Sequence, residues 1–486
     1  MLFILSTNSQ KPNEDKQKII RRHVMLGKNK GKARPSKRQT PIVSCISESV
    51  GPHGNPVVAL SLVADMYRSF IPARVGSDCS CSELVADVEP GTFGDIMKFA
   101  AVAPKILFPL AVLIGFEPQD RDWCEGLTYD AAYLHATIFS VEVLVDNIMV
   151  RRHQDVNKNA TRHLLKSVQL LREKLLENED VFASDSTMRV ILVLAITAYY
   201  LWDHATAKKH MKALRQIVDL RGGLATFKAK KILLTLLKCD LCISLHTGVK
   251  PIFFNDPFLE PYMPYPEKEV LAIGQSPEFL RHLQMQDGFL RDVHHDLAAS
   301  WLVLQRFCSL SNLAAQSNGV LPTQLHVQTM ASVMYRLLDL NHFQARSVDE
   351  MIRLGILALT HHIFLQYQHL KLPYSHFQSR LERSLVNLQL FENANPELTL
   401  WTLMVAAISV PNMAEDAWLL ESLRTLVQIC KITSWRDLRG LMKAMIWIDV
   451  VHDKPAKDMY ARVVSDYTPI KANSRLANDV GSALTE

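Results

Sequence analysis

The sequence predicts an all-α protein, a large irregular array of many helices preceded by a flexible basic N-terminal arm. From about residue 96 to residue 455, apolar residues recur at helical spacing, and the alternation that is typical of strands is almost absent. Clusters of Pro, Gly and Asn separate these stretches. With 48% hydrophobic and 21% charged residues, the 486-residue chain has the composition of a folded protein rather than a mostly disordered one.

Composition divides the chain into four zones. Residues 1–45 form the basic arm, and residues 46–95 read as a linker rich in Gly, Pro and Ser. Residues 96–455 hold the helical domain, and residues 456–486 form a polar C-terminal tail that we expect to fray at its end. No signature recurs at a fixed spacing along the chain, so a regular repeat solenoid is not supported.

The helical pattern is clear in two segments. The apolar run from Val190 to Leu201 is too short for a membrane span and predicts a buried core helix. The segment from His210 to Leu220 predicts an amphipathic helix that ends at Gly222-Gly223, since glycine adopts the left-handed conformation without a steric penalty. Its apolar face consists of Met211, Leu214, Ile217 and Val218. The stretch from Pro251 to Pro266 contains five prolines and predicts an irregular crossing.

Large apolar side chains mark the expected core. Phe364, Trp401, Met442 and Trp447 fall on otherwise apolar helical faces, and we interpret them as core residues rather than as a ligand site. The apolar run from Ile106 to Phe116 is interrupted by Pro109 and is well short of a transmembrane helix.

Positive charge is concentrated in the arm. Residues 16–38 carry six Lys and four Arg without any Asp or Glu, so the rest of a chain of net charge +5 sums to −5. Such a block predicts nuclear import or a weak, sequence-independent contact with DNA, while a merely solvated tail is the alternative. The candidate residues for import or nucleic-acid binding are Lys18, Arg21, Arg22, Lys28, Lys30, Lys32, Arg34, Lys37 and Arg38.

The cysteines and histidines do not predict a metal site or a cofactor. The eight cysteines are dispersed and no secretory leader is evident, so we expect reduced thiols in an intracellular protein. The close pairs are Cys79 with Cys81 and Cys239 with Cys242, which we interpret as structural. The histidine groups interpreted in the same way are His294-His295-Asp296, His361-His362 with His369, and His204 with His210.

No pattern predicts catalysis. The sequence contains neither a Gly-x-Ser-x-Gly elbow, nor a Gly-x-Gly-x-x-Gly dinucleotide loop, nor a His-Glu-x-x-His zinc motif. Asp146-Asn147, followed only by Asp155, does not supply the acidic metal motif that a helical terpene-cyclase-like enzyme needs. We therefore expect a protein that is not an enzyme.

One segment resembles a known family. The residues from His210 to Leu224, with their Leu220-Arg221-Gly222-Gly223-Leu224 ending, resemble the hallmark of the fungal-specific transcription factor domain. In that family an Asp on the next helix, a Gly and a Pro-aromatic turn follow, and here Asp240, Gly248 and Pro251-Ile252-Phe253 occupy that order. Other stretches similar to the family are the basic segment 20–29, Trp123 to Ala136, Arg353 to Ala358, Leu400 to Leu403, and Trp435 with Trp447-Ile448-Asp449.

The resemblance implies a nuclear transcription regulator that acts through its helical regulatory domain. The zinc cluster that reads DNA in this family needs six closely spaced cysteines, and no Cys precedes Cys45 here. The implied partners are therefore DNA-bound transcription factors or co-regulators, with weak DNA contact through the arm, a homo- or heterodimer, and no membrane. Two alternatives stay open: a helical small-molecule-binding protein or metabolic enzyme of a biosynthetic pathway, and a gene model that lacks its zinc-cluster exon.

Overall fold

The computed structural model describes most of the expected helical domain. The described ranges are 122–144, 158–177, 183–227, 232–254, 263–266, 292–345, 347–365, 374–388, 395–410 and 412–465, with the single positions 88, 92, 96, 110, 113 and 290. These residues form fourteen α-helices and no strand, which confirms the predicted all-α class. The arm, the greater part of the linker and the residues after 465 lie outside the described ranges.

The helices are numbered in chain order. They are α1 (Asp122–Tyr129), α2 (Ala131–Val143), α3 (Lys158–Glu177), α4 (Asp185–Tyr200), α5 (His204–Leu220), α6 (Ile232–Thr247), α7 (His295–Ser317), α8 (Thr323–Asp339), α9 (Val348–Thr360), α10 (Ser375–Leu388), α11 (Pro396–Ser409), α12 (Ala417–Ile429), α13 (Trp435–Ala444) and α14 (Asp449–Ser465). A π-helical turn, His361–Leu365, follows α9 directly.

Helix α2 is enclosed because α3 covers one part of its surface and α4 another, and eight of its thirteen residues are buried. Asp130 caps its first turn by accepting a hydrogen bond from the N–H of Tyr133 at 3.1 Å. The Lys174 ammonium on α3 lies 2.9 Å from the other oxygen of the same carboxylate. The Ser167 hydroxyl donates to the carbonyl of Ala132 at 2.9 Å. These polar contacts fix α3 against α2.

Helix α6 lies in the interior, in contact with α4, α5, α8 and α10. Ten of its sixteen residues are buried, and along this helix only Thr235 is exposed. A helix that is covered nearly all round is held by packing rather than by an amphipathic face. The polar side chains that α6 carries are therefore placed inside the protein.

Gly355 allows α9 and α11 to pack closely. A Cβ at this position would lie 2.9 Å from the ring of Trp401 and 3.2 Å from the methyl group of Thr402. The Trp401 ring also meets Trp301 of α7, with centroids 4.9 Å apart, and its Nε1–H donates to the carbonyl of Ile446 at 3.1 Å. One buried indole thus joins α7, α9, α11 and the segment after α13.

A buried ion network joins α8, α9 and α10. The Arg353 guanidinium donates to both oxygens of Glu350, at 2.7 and 2.8 Å, and to the carbonyl of Leu337 at 2.9 Å. Arg380 donates to the same Glu350 carboxylate at 2.7 Å. Because Arg353 is buried and Glu350 is its carboxylate partner, removal of Glu350 would leave the Arg353 charge uncompensated, which costs about 3–5 kcal/mol.

Polar contacts also fix the turn between α13 and α14. The Asn312 side chain donates to the carbonyl of Trp447 at 2.9 Å and accepts from the N–H of Asp449 at 2.8 Å. Arg439 bridges the carboxylates of Asp449, at 2.8 Å, and Asp453, at 2.7 Å. These contacts attach the last helix to α7 and α13.

The two helices that the sequence predicts around 190–201 and 210–220 are both present, and both begin earlier than predicted. The predicted Val190–Leu201 run lies in α4 except for Leu201, which caps its end. The predicted amphipathic helix begins at His204, six residues earlier than expected. Phe364, Trp401, Met442 and Trp447 are all at most 2% exposed, so the core prediction is confirmed. Among the described helices, none combines the length and the apolar character that a membrane span requires.

The predicted end of the helical domain at residue 455 falls inside α14. Pro455 lies within this helix, where it removes one backbone hydrogen bond. Val451, Met459 and Val463 are buried along the same helix, and their packing offsets that loss. The helical domain therefore continues to at least residue 465.

We expect Gly355→Ala to lower the free energy of unfolding by about 1 kcal/mol or more. The added methyl group meets the enclosed Trp401 ring, and overpacking of this kind costs about 1–3 kcal/mol, which exceeds the gain in helix propensity. The measurement is urea unfolding followed by circular dichroism.

Gly440→Ala is the matched control, because Gly440 lies in α13 and nothing lies within 4 Å of its added Cβ. It should gain stability by about 0.5–1 kcal/mol. A gain of stability in both variants would contradict the close approach of α9 and α11.

Candidate functional site

The Arg-Gly-Gly end of α5 builds a corner of the domain. Gly222 and Gly223 have φ values of 87° and 91°, which L side chains rarely adopt. The Arg221 guanidinium forms an ion pair with Asp185 at the start of α4 and lies over the ring of Phe227 at 4.6 Å. The two glycines therefore end the helix as predicted, and the arginine anchors the corner to α4 and to the turn that follows.

Asp240 forms a buried bracket in the centre of the domain. One carboxylate oxygen accepts from the N–H of Ile252 at 2.8 Å, and the other accepts from the N–H of Phe253 and the hydroxyl of Tyr335, each at 2.9 Å. Burial raises the pKa of this carboxyl to about 6, although the three hydrogen bonds and the nearby Arg215 favour the charged form. The bracket joins α6, α8 and the turn Ile252–Phe254.

Gly248 allows the chain to turn back toward Asp240. It has a φ of 68°, and a Cβ there would lie 2.5 Å from the ring of His376. Only glycine fits this position without displacing that ring. The chain changes direction here, which places the 252–254 turn against Asp240. The Asp, the Gly and the Pro-aromatic turn that carry the family resemblance are thus parts of one structural unit.

We expect Asp240→Ala to lower the free energy of unfolding by about 3 kcal/mol, because it leaves two backbone N–H groups and one hydroxyl without an acceptor in the interior. Tyr335→Phe removes one of the three donors and leaves the backbone bonds intact, so its cost should be about 1 kcal/mol. Denaturant unfolding of both variants compares them. An equal loss of unfolding free energy in the two variants would show that the Ile252–Phe254 turn does not depend on the Asp240 carboxylate.

A polar strip lies on the opposite face of α6. Lys238 and Cys242 are one helical turn apart and half-buried. Burial lowers the pKa of the Lys238 ammonium to about 8 and raises the pKa of the Cys242 thiol to about 11. The Cys242 sulfur lies 3.6 Å from the Tyr374 hydroxyl.

Two buried imidazoles face the same region. The edge of the Tyr374 ring meets the ring of His361, with centroids 4.2 Å apart, and His326 of α8 lies near enough to Lys238 for the ammonium to lower its pKa. Both histidines are at most 2% exposed, and neither ring has a hydrogen-bond partner within the described part of the chain. Burial lowers the pKa of His361 to about 3 and that of His326 well below its usual value.

This arrangement supports binding better than catalysis. Lys238 supplies a cation, and the imidazoles, the tyrosine and the thiol supply hydrogen-bonding groups of both kinds. The raised pKa keeps Cys242 protonated at neutral pH, so it is not the thiolate that a cysteine nucleophile requires. We define Lys238, Cys242, His326, His361 and Tyr374 as the α6 site.

The burial of His361 has a consequence for acid stability. Its folded-state pKa of about 3 lies below the ordinary value of 6.5, so the unfolded chain binds the proton more tightly. The stability that depends on the neutral ring is complete above about pH 6.5 and is lost as the pH falls toward 3.

His361→Phe should therefore reduce the loss of unfolding free energy between pH 7 and pH 5 by about 2 kcal/mol. Urea titrations of wild type and variant at the two pH values measure this difference. An identical loss in both proteins would contradict a neutral buried imidazole.

Sequence reasoning missed the α6 site. A signal was present, because Lys238 is the one cation in the apolar run from Ile232 to Leu245. The approach of His326 to Lys238 and of Tyr374 to Cys242 depends on tertiary packing and leaves no pattern in the sequence.

The remaining predicted residues have varied outcomes. The nine arm residues, Cys79, Cys81, Asp146, Asn147, Asp155 and His369 lie outside the described residues. Cys239 and Cys242 are free thiols on α6, buried and half-buried respectively. The ring of His204 stacks on His246 with centroids 4.0 Å apart.

His294, His295 and Asp296 come together at the start of α7. There His294 acts as the N-cap, because its Nδ1 accepts a hydrogen bond from the N–H of Asp296 at 3.3 Å. This helix-capping role explains the position of the His294 Nδ1 atom. The capping role does not explain why the three side chains cluster, with their potential ligand atoms within 4.8 Å of one another.

No protein-family model, curated protein or solved structure matches the chain. A functional proposal therefore rests on the residues of this chain and on their contacts.

Proposed function

We propose that the chain is a transcription-regulator-like protein that acts through its helical domain. The bracket around Asp240 is the observation that carries the proposal. Residues that a family hallmark places at separate points of the sequence, on α6 and in the turn after it, are here hydrogen-bonded to one another. This contact supports the resemblance to the fungal-specific transcription factor domain, because it gives those residue types a shared physical reason.

The mechanism we propose is a shift between two arrangements of the helical domain. A partner or a small molecule that binds one arrangement better than the other changes the surface that the domain presents. The α6 site is a suitable place for such an effect, since its polar groups lie between α6, α8 and the π-turn after α9. A ligand can shift the equilibrium only by the difference between its affinities for the two states.

DNA is reached, in this proposal, through a zinc-cluster partner or a co-regulator, with the basic arm providing nuclear import and weak phosphate contact. Ten cations in the segment 16–38 suit both roles, and the acidic remainder of the chain does not suit a polyanion. Catalysis, a cofactor and a membrane contact are not part of the proposal.

The decisive experiment is chromatin occupancy of the tagged full-length protein in its native cell, compared with a variant that lacks residues 1–45. We expect occupancy at discrete promoters that survives loss of the arm wherever a nuclear import signal is supplied in its place, because a partner then provides the DNA contact. Absence of occupancy from both proteins would overturn the proposal.

The arm is tested separately by replacing six of its cations with Ala. We expect the variant to leave the nucleus, as measured by fluorescence microscopy of a tagged chain. The six positions are Lys28, Lys30, Lys32, Arg34, Lys37 and Arg38. An unchanged nuclear signal would refute the import role without affecting the helical domain.

A second candidate function is a small-molecule-binding protein or a metabolic enzyme of a biosynthetic pathway. The rings of His326 and His361 favour it, because they have no hydrogen-bond partner in the part of the chain that the structure describes and an oxygen-bearing ligand would supply one. Against an enzyme, the group of three metal-binding side chains found among the described residues lies at the surface and not in the core. Ligand binding without promoter occupancy would favour this second candidate.

A further inference from the structure

The surface at the start of α7 concentrates side chains that bind metal ions. The potential ligand atoms of His294, His295 and Asp296 all lie within 4.8 Å of one another. The His295 Nε2 is 3.4 Å from a carboxylate oxygen of Asp296, and the rings of His294 and His295 have centroids 4.4 Å apart. Consecutive residues at a helix start usually point apart, so this convergence is a feature of the fold.

A second chain segment lies beside the cluster. His342, in the loop between α8 and α9, is exposed, and its ring centroid lies 6.1 Å from that of His294. Phe343 packs against the His294 ring at 5.4 Å and holds it in place. The N–H of His294 donates to a carboxylate oxygen of Asp349 at 3.2 Å, which fixes this loop and α9 beside the start of α7.

The distances are close to those of a metal site. Zinc binds imidazole nitrogen and carboxylate oxygen at about 2.0–2.2 Å, so tetrahedral ligand atoms lie about 3.4 Å apart. The side chains of His295 and Asp296 are 82% and 38% exposed, so rotation about their side-chain torsions can close the remaining gap without moving buried atoms. The bond to His294 Nδ1 is long, at 3.3 Å, and is readily replaced by a bond to the ion.

The donor set selects the class of ion. Imidazole nitrogen suits zinc, copper, nickel and iron, whereas calcium and magnesium prefer oxygen donors. The positive end of the α7 dipole opposes a cation, and the carboxylates of Asp296 and Asp349 offset it. Two or three nitrogens with one carboxylate are sufficient for a divalent transition-metal ion in a site that keeps an open position.

We propose that His294, His295 and Asp296, with His342 as the fourth donor, form a binding site for a divalent transition-metal ion of the zinc class. The ion joins the start of α7 to the α8–α9 loop. This proposal is independent of the transcriptional one, since it concerns a different surface and requires neither DNA nor a partner.

The test is titration of purified, EDTA-treated full-length protein with Zn²⁺ by isothermal calorimetry under reducing conditions. We expect one equivalent to bind with low-micromolar affinity. His295→Ala and Asp296→Ala should each weaken that affinity about tenfold or more, and His342→Ala should weaken it by a smaller factor because its ring has to rotate to reach the ion.

His376→Ala is the control, because it removes an exposed histidine that does not belong to the cluster, and it should leave the affinity unchanged. Replacing Zn²⁺ by Co²⁺ separates this site from the cysteines, since nitrogen and oxygen ligands give no thiolate charge-transfer absorption. Circular dichroism checks that the surface variants stay folded. Unchanged affinity in both His295→Ala and Asp296→Ala, a thiolate band, or no binding at all would overturn the proposal.

Discussion

The carboxylate of Asp240 is the interaction on which the interior of this domain depends. Asp240 is only 2% exposed, so the acceptor capacity of its carboxylate has to be met by protein donors rather than by water. Those donors come from the Ile252–Phe254 turn and from Tyr335 on α8. Burial raises the pKa of the carboxyl despite these bonds, and the bracket fixes the geometry of three elements, α6, α8 and the turn.

The position of Asp240 also determines where the α6 site lies. Residues two apart on a helix point about 200° from one another, so Lys238 and Asp240 lie on opposite faces of α6. Cys242, one turn after Lys238, shares its face. A ligand on that face would therefore act on a helix whose other face is already anchored. Helix α8 contributes to both sides, because Tyr335 binds Asp240 and His326 lies near Lys238.

Local patterns predicted the parts of the fold that local chemistry decides. The period of apolar residues in α4 and α5 and the glycines after α5 have physical causes within one or two helical turns, and the structure contains both. The buried positions of Trp401 and Trp447 followed from residue type. The end of the helical domain was predicted at Pro455, but α14 continues through this residue, because tertiary packing of α14 overrides the local preference of proline to end a helix. Tyr335 is 95 residues from Asp240, and no sequence pattern relates the two.

The imidazoles of His326 and His361, which lack hydrogen-bond partners among the described residues, relate to the regulatory mechanism proposed above. Leaving a buried polar group without a hydrogen bond costs about 1–3 kcal/mol, and a Leu or Phe at His326 or His361 would avoid that cost. In the mechanism proposed above, the two rings find partners in the second state, either on a ligand or in an altered packing of α6 against α8. The cost of the missing hydrogen bonds then raises the free energy of the first state. This reduces the free-energy difference between the two states, so that an effector can shift the equilibrium.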